Sequence, residues 1–485
     1  MGLAVLKRHT VTGIVWLLEL LEPVGIWLQH HQRVRQWLSI LRLGLFQFGM
    51  GLSLAPLTGT LNRVLINEMM IPAVAVGFLI AIHYFVSPVR AMIGYRSDQA
   101  RAAGQWRTPY VVFGAVLTYG GLACAPFSLL LLTRDTNSLF PFWLALLICA
   151  VIFVAYGIGV NIVETVFLAL VSDLTEPKER GRVLAVLWIM LVLGTIVSSV
   201  IMGMLLHDYT HLRLIQVMQG SAVIFLLTTL LALWGRERLK PNGQIDSDVE
   251  VVRVRLKLGE SIALLWQQAT LRNLFVVLFI ATLGFATHDV LLEPYGGQIL
   301  GMSVAETTML TALWGSAMLF SIGIGGVLLW QGRSAVTLIM AGSLLGALGF
   351  LVISLAGGAG LVQPFQGGVW LIGMGRGVFI VASIALVMSL TNVGHAGLFI
   401  GLWGMMQAMA QGFGTIGGGL LRDVVQHQTG DALLGYTAVY RTSLVLLVLS
   451  VGLVLFLRLE QRLREQKGRS TWDGLQDIPA DQIVY

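Results

Sequence analysis

A few side chains in this sequence have types and positions that could do chemistry inside an apolar chain. Arg63, Glu164, Asp289 and Arg376 are ionisable residues set in or at the ends of long apolar stretches. A charge there costs about 2.5–3.5 kcal/mol on insertion scales, so each needs a reason to be present. Glu164 precedes the polar run at Ser172 by eight residues, so it sits roughly 12 Å inside its stretch. Its carboxyl can act as a proton site, a contact for a bound solute or a metal ligand, or can hydrogen-bond a neighbouring helix. Arg376 can pair with Glu164, hold an anionic group on a ligand, or bond a structural partner. His83 and His288 carry imidazoles that suit axial metal ligation, or bonding to a neighbouring helix. Arg63 follows Arg42 by 21 residues, about 31 Å of helix, and Asp289 follows Arg272 by 17, about 26 Å. Both are therefore expected at one membrane face, as an ion pair closing that face or as two separately hydrated groups. Asp98, in Gly94-Tyr95-Arg96-Ser97-Asp98, and Arg107 beyond it are expected at the opposite face, as latch or as solvated loop.

The elements that position these groups follow from composition. Of 485 residues, 56% are hydrophobic and 12% charged, about half the charged share of a soluble protein. This excludes an ordinary soluble enzyme, a disordered chain and a fibre. Long unbroken apolar stretches favour helices over the alternating pattern of a membrane barrel. Cys124 and Cys149 form no disulfide framework or metal motif. No Walker motif, dinucleotide fingerprint, HExxH or cysteine–metal cluster is present, so no enzyme activity is expected.

Twelve stretches are long enough to span about 30 Å of hydrocarbon. They lie near 41–61, 71–91, 109–132, 140–168, 183–205, 215–235, 272–293, 303–330, 334–356, 365–390, 396–420 and 436–458. Of 31 Lys and Arg residues, 25 fall on one side of this arrangement, five on the other, and Arg376 lies within a span. The bias places both termini in the cytoplasm. It also accounts for the net charge of +6 without a nucleic-acid partner. The expected layout is an interfacial N-terminal helix over residues 1–40, a six-helix half over 41–235, and a cytoplasmic linker with an amphipathic helix over 236–271. A second six-helix half over 272–458 and a cytoplasmic tail over 459–485 complete it. Six plus six with a central loop is the layout of the major facilitator superfamily, an all-α integral membrane fold.

Internal repeats support two halves. At a constant offset of 226, Asn62-Arg63-Val64-Leu65 aligns with His288-Asp289-Val290-Leu291. Ser172–Trp188 resembles Ser389–Trp403 with one gap, and Gly94 corresponds to Gly325 or Gly326. The second-half counterpart of the Asp98 loop, near Gly332-Arg333, lacks the acid.

Several motifs resemble the PucC family (the PucC/LhaA or BCD family of the major facilitator superfamily). They are His288-Asp289-Val290-Leu291-Leu292-Glu293-Pro294-Tyr295-Gly296-Gly297, Leu57-Thr58-Gly59-Thr60-Leu61-Asn62-Arg63-Val64, Ala81-Ile82-His83-Tyr84 with Pro88-Val89-Arg90, and Arg107-Thr108-Pro109-Tyr110. The resemblance covers about residues 40–460. It implies a facilitator fold and an assembly factor for light-harvesting antenna complexes in a cytoplasmic or intracytoplasmic photosynthetic membrane. Its implied partners are antenna polypeptides, with a reaction-centre complex or pigment-synthesis enzymes beside them, and the lipid bilayer. Bacteriochlorophyll or chlorophyll is the implied cofactor. His83, His288, Asn161, Glu164 and Arg376 are the candidate pigment contacts; Arg63, Asp289, Asp98, Arg107 and Glu293 are the candidate gating residues. Family members often carry His and Gln where this chain has Asn161 and Glu164, which weakens pigment ligation in the fourth span. The competing expectation is a proton-coupled secondary transporter of a tetrapyrrole or other amphipathic solute.

Overall fold

Hydrophobic length sets the elements, and glycine sets how closely they approach. A computed structural model describes residues 32–102, 106–132, 141–175, 180–236, 269–389 and 396–466. The expected interfacial helix, most of the central linker and the end of the tail lie outside these ranges.

In the first half, α1 (Gln32–Ala55) continues through two π-helical stretches, Pro56–Thr60 and Val64–Glu68, flanking one α-turn at Leu61–Arg63. Pro56 lacks the N–H that the α-ladder needs, and the wide turns begin there. The Leu57–Val64 motif lies on this widened segment. The second span is split into α2 (Ala73–Phe85) and α3 (Val89–Ala102). The half continues with α4 (Thr108–Cys124), α5 (Phe142–Leu174), α6 (Arg180–Leu205) and α7 (His211–Leu233).

The second half holds α8 (Ala269–Ala286) and α9 (Leu292–Gln298), then α10 (Val304–Trp330) and α11 (Ala335–Ala359). It closes with α12 (Val362–Ser389), α13 (Ala396–Thr429), α14 (Ala432–Phe456) and α15 (Leu459–Gln466). Good caps set several boundaries. Ser303 and Glu306 form a capping box at the start of α10, and Gly360 takes φ +65° to end α11. No strand occurs among the described residues.

Ten described helices are long and apolar enough to cross a membrane, so this is a multi-pass membrane protein. Two expected spans are not among the ten: 71–91, whose apolar helix α2 has 13 residues, and 396–420, carried by α13. The reason is physical. These two helices pack on each other, and α13 is rich in glycine with Gln407 and Gln411 interspersed. Surface that meets another helix need not be as apolar as surface that meets lipid. A Cβ on Gly77 would come within 2.9 Å of the Thr415 carbonyl, and one on Gly419 within 2.6 Å of the Ala73 carbonyl. The second seam between the halves joins α6 to α10. The two seams are related by the repeat: second span with eleventh, eighth with fifth.

Candidate functional site

The polar residues gather at two levels. One is the end of the bundle away from the basic loops, called here the distal end. The other lies deeper, between the halves.

At the deeper level, α3 brings Arg90 to α5. The Arg90 guanidinium bonds Glu164 Oε2 at 2.6 Å and also donates to Asn161 Oδ1. Asn161 in turn donates to the His83 carbonyl at 3.1 Å and the Gly157 carbonyl at 2.7 Å. Gly157 is required for this approach, since a Cβ there would fall 2.8 Å from the His83 backbone. His83 Nδ1 lies 2.6 Å from the Ile80 carbonyl, which assigns the proton to Nδ1 and leaves Nε2 as the basic nitrogen. Its ring lies against Tyr84, 3.8 Å between centroids.

The second half supplies the matching pair. Arg376 lies 14 residues into α12, about 21 Å along it. Its Nη1 donates to Asp289 Oδ1 at 2.8 Å, and the guanidinium lies over the Trp314 ring at 5.4 Å. Tyr84 is within electrostatic reach of Asp289, Arg376 and Glu164.

Two expected pairings are corrected. Arg63 does not meet Asp289. It bonds Glu68 at 2.9 Å and the Met302 carbonyl at 3.0 Å, while Asp289 takes Arg376. Nor does Arg376 meet Glu164, which takes Arg90. The error with Asp289 came from treating the seventh span as ending there. Turn residues follow Ala286, and α9 then carries the chain further to the distal end, leaving Asp289 a level below Arg63.

The distal end closes by a different chemistry. Asn62 donates to the Val290 carbonyl at 3.2 Å, Asn67 to the Pro294 carbonyl at 2.9 Å, and the Thr60 and Thr308 hydroxyls meet at 3.0 Å. The Val74 N–H donates to Asp423 Oδ2 at 2.8 Å. Arg422 bonds Asp423 and Gln298 and lies over Tyr436 at 4.9 Å. Glu293, 3% exposed, accepts from the Thr311 hydroxyl at 2.6 Å.

The remaining candidates are placed as follows. His288 is 2% exposed, with Phe350 edge-on at 4.9 Å. A macrocycle has no access to it in this conformation. Arg107 is buried and donates to Ser97 Oγ at 2.8 Å. Asp98 is in α3, but its side chain lies outside the described residues. Sequence reasoning missed Arg90, Arg422 and Asp423. Pro88 breaks the second span just before Arg90, so the sequence alone reads Arg90 as part of the basic loop that follows. The adjacent Arg-Asp at the end of the eleventh span was a signal that went unused.

The chain has the fold seen in major facilitator transporters. It resembles a bacterial homologue of the human lysosomal transporter Spinster in an inward-facing, occupied conformation. The TM-score is 0.64 at 13% identity, covering 87% of this chain and 96% of that one. A D-xylose–proton symporter superposes with a TM-score of 0.62 at 13% identity, covering 85% of this chain and 95% of that one.

The chain belongs to the PUCC protein family, whose model matches residues 60–462. It is 36% identical over 425 residues to a Rhodobacter capsulatus protein described as an uncharacterized protein in the puhA–bchM intergenic region, covering 86% of this chain and 88% of the relative. It is 36% identical over 392 residues to Protein PucC of Rhodovulum sulfidophilum, covering 80% and 85%. A Rhodobacter capsulatus protein named bacteriochlorophyll synthase 44.5 kDa chain is 31% identical over 407 residues, covering 82% and 90%.

Proposed function

We propose that this protein is an assembly factor for light-harvesting antenna complexes in a photosynthetic membrane, with both termini cytoplasmic. Family membership over residues 60–462 is the observation that carries this reading. The antenna polypeptides would meet the lipid-facing helix surfaces, where large apolar side chains such as Trp143, Phe113 and Trp188 are exposed. If bacteriochlorophyll or chlorophyll is handled, the residue that fits is His83. Its Nδ1 is committed to a backbone carbonyl, its Nε2 is free to ligate, and the tilted Tyr84 ring lies against it. The pigment would supply light-absorbing cargo. This chain would orient the imidazole and hold nearby charge neutral through the Arg90–Glu164 pair. His288 is too enclosed to share that role.

The test is gentle purification from native photosynthetic membranes. Co-purifying antenna polypeptides, with pigment lost on His83→Ala, support the reading. A colourless, solitary protein that exchanges solute in liposomes overturns it. That outcome would favour the second reading, a proton-coupled transporter of a tetrapyrrole or other amphipathic solute. The specific observation favouring it is the presence of two partly exposed ion pairs deep in the bundle, one per half.

A further inference from the structure

The distal closure contains two charged side chains in a reciprocal arrangement. Glu293 of α9 lies over Gly59 of the first π stretch, where a Cβ would collide with its Oε1. One turn along each segment, Arg63 lies over Gly297, where a Cβ would come within 2.9 Å of Nε and Nη2. Each charge occupies the space left by the other segment's glycine, yet the two do not bond. Arg63 is held by Glu68 and by the Met302 carbonyl. Glu293 has one hydrogen bond, from Thr311 to Oε1, and its Oε2 is buried without a protein partner.

Most charged groups of the elements around Glu293 are paired elsewhere, while Asn62 Oδ1, Arg63 Nε, Asn67 Oδ1 and the Tyr440 hydroxyl are, like Glu293 Oε2, buried without a protein partner. Glu306, at the start of α10, is tied to the Ser303 N–H and hydroxyl. Asp289 and the enclosed His288 lie a level below, Asp289 on Arg376. Arg422 is on Asp423 and Gln298, and the Tyr436 hydroxyl also donates to Gln298. The Tyr295 hydroxyl donates to the Ile353 carbonyl, and Tyr440 packs on that ring. Tyr209, near Arg63 and Glu68 in the loop before α7, is pushed up to about 12 by burial and stays neutral. Among the described residues, Arg63 is the positive charge that acts on Glu293, and Glu68 already offsets it. A carboxylate in this enclosure would keep one hydrogen bond and lose its water, which is costly.

We propose that Glu293 is a proton-binding site coupled to the distal closure. The carboxyl holds a proton while the halves are closed over it, and releases that proton to water at the distal face when they part. Binding in the closed state alone makes acid favour closure, and the open population rises as pH passes upward through the closed-state value. Only the Glu293 O–H bond breaks, water accepts the proton, and no other reactant is needed. The device works with or without a cargo, so it does not depend on the function proposed above.

The experiment uses the full chain in lipid nanodiscs with Cys124→Ser. Spin labels are placed at Leu212 and Leu361, exposed distal positions in opposite halves. Pulsed electron–electron resonance should show the short inter-label distance in mildly acidic buffer. The long distance should gain about tenfold in population ratio per pH unit through the transition. Glu293→Gln should keep the short distance at every pH and remove a protonated-carboxyl band from the infrared difference spectrum. Thr311→Val removes the hydroxyl that favours the charged form, so its transition should move to higher pH. This variant serves should Glu293→Gln fail to fold. A wild-type distance that ignores pH, a Glu293→Gln protein that still responds to pH, or a Thr311→Val transition that does not move overturns the proposal.

Discussion

The two polar levels of this protein are built on opposite rules. At the deeper level each charge finds its counter-charge inside its own half: Arg90 with Glu164, Arg376 with Asp289. At the distal end the bonds cross between halves, and they run mostly from neutral side chains or arginine to backbone carbonyls. The difference has a physical consequence. If an ion pair bridged the halves, separating them would leave uncompensated charges in a poorly solvated interior. With charge neutralised inside each half, parting the distal end breaks only hydrogen bonds that water can replace. The halves are therefore separable objects, joined where separation is cheap.

The largest effect should come from breaking a pair within a half. Asp289→Ala leaves Arg376, 11% exposed, without its counter-charge. This should destabilise the protein by about 3–5 kcal/mol, read as a lower melting temperature in detergent. Arg376→Met in the same chain should recover most of the loss. No recovery would mean that the pair is not self-contained within its half. The more exposed Arg90–Glu164 pair should matter less: Glu164→Gln should cost about 1 kcal/mol or below.

Next come the glycines of the seam between α2 and α13. Gly419→Leu would drive a side chain into the Ala73 carbonyl and should cost about 1–3 kcal/mol. Gly417→Leu, on the same helix with open space at its Cβ, is the control and should be near neutral. Equal effects at both positions would deny that close approach is what the seam requires.

Smaller still are the crossing hydrogen bonds. Asn62→Ala and Asn67→Ala should each weaken closure by about 1 kcal/mol, a shift of about fivefold toward the longer distal distance. Melting temperature should change little, since each half keeps its own pairs. The reverse pattern, a large melting change with no distance shift, would break the contrast between the levels. The smallest and most local expectation is Ser303→Ala. It removes half of the α10 capping box and should cost about 1 kcal/mol without altering the distal distance.

Much of the architecture could be read from the residues. Apolar stretches near the twelve expected positions became helices, and the π-helical segment coincides with the motif Leu57–Val64 that carried the family resemblance. Asn161 and Glu164 were legible as candidates because polar groups in apolar spans are few. Their partner was not. Arg90 follows Pro88, so the sequence reads as a span ending in a basic loop. In fact the chain bends at Val86–Pro88 and resumes as α3, which returns Arg90 to α5. The Arg63–Asp289 expectation failed for a related reason. The constant offset of the repeat aligns the residues, but alignment between halves is not contact between them.

Composition and the order of apolar stretches determined the class, the helical fold, the two-half organisation and the short list of charged residues worth testing. Those follow from hydrocarbon thickness and the cost of burying charge, both of which act on each stretch independently of the others. Which charge meets which, which glycines must be bare, and which end is shut were decided only in three dimensions. Pairing depends on the depth and facing of helices far apart in the chain, and the turn and short helix after Ala286 or one bend at Pro88 changes both.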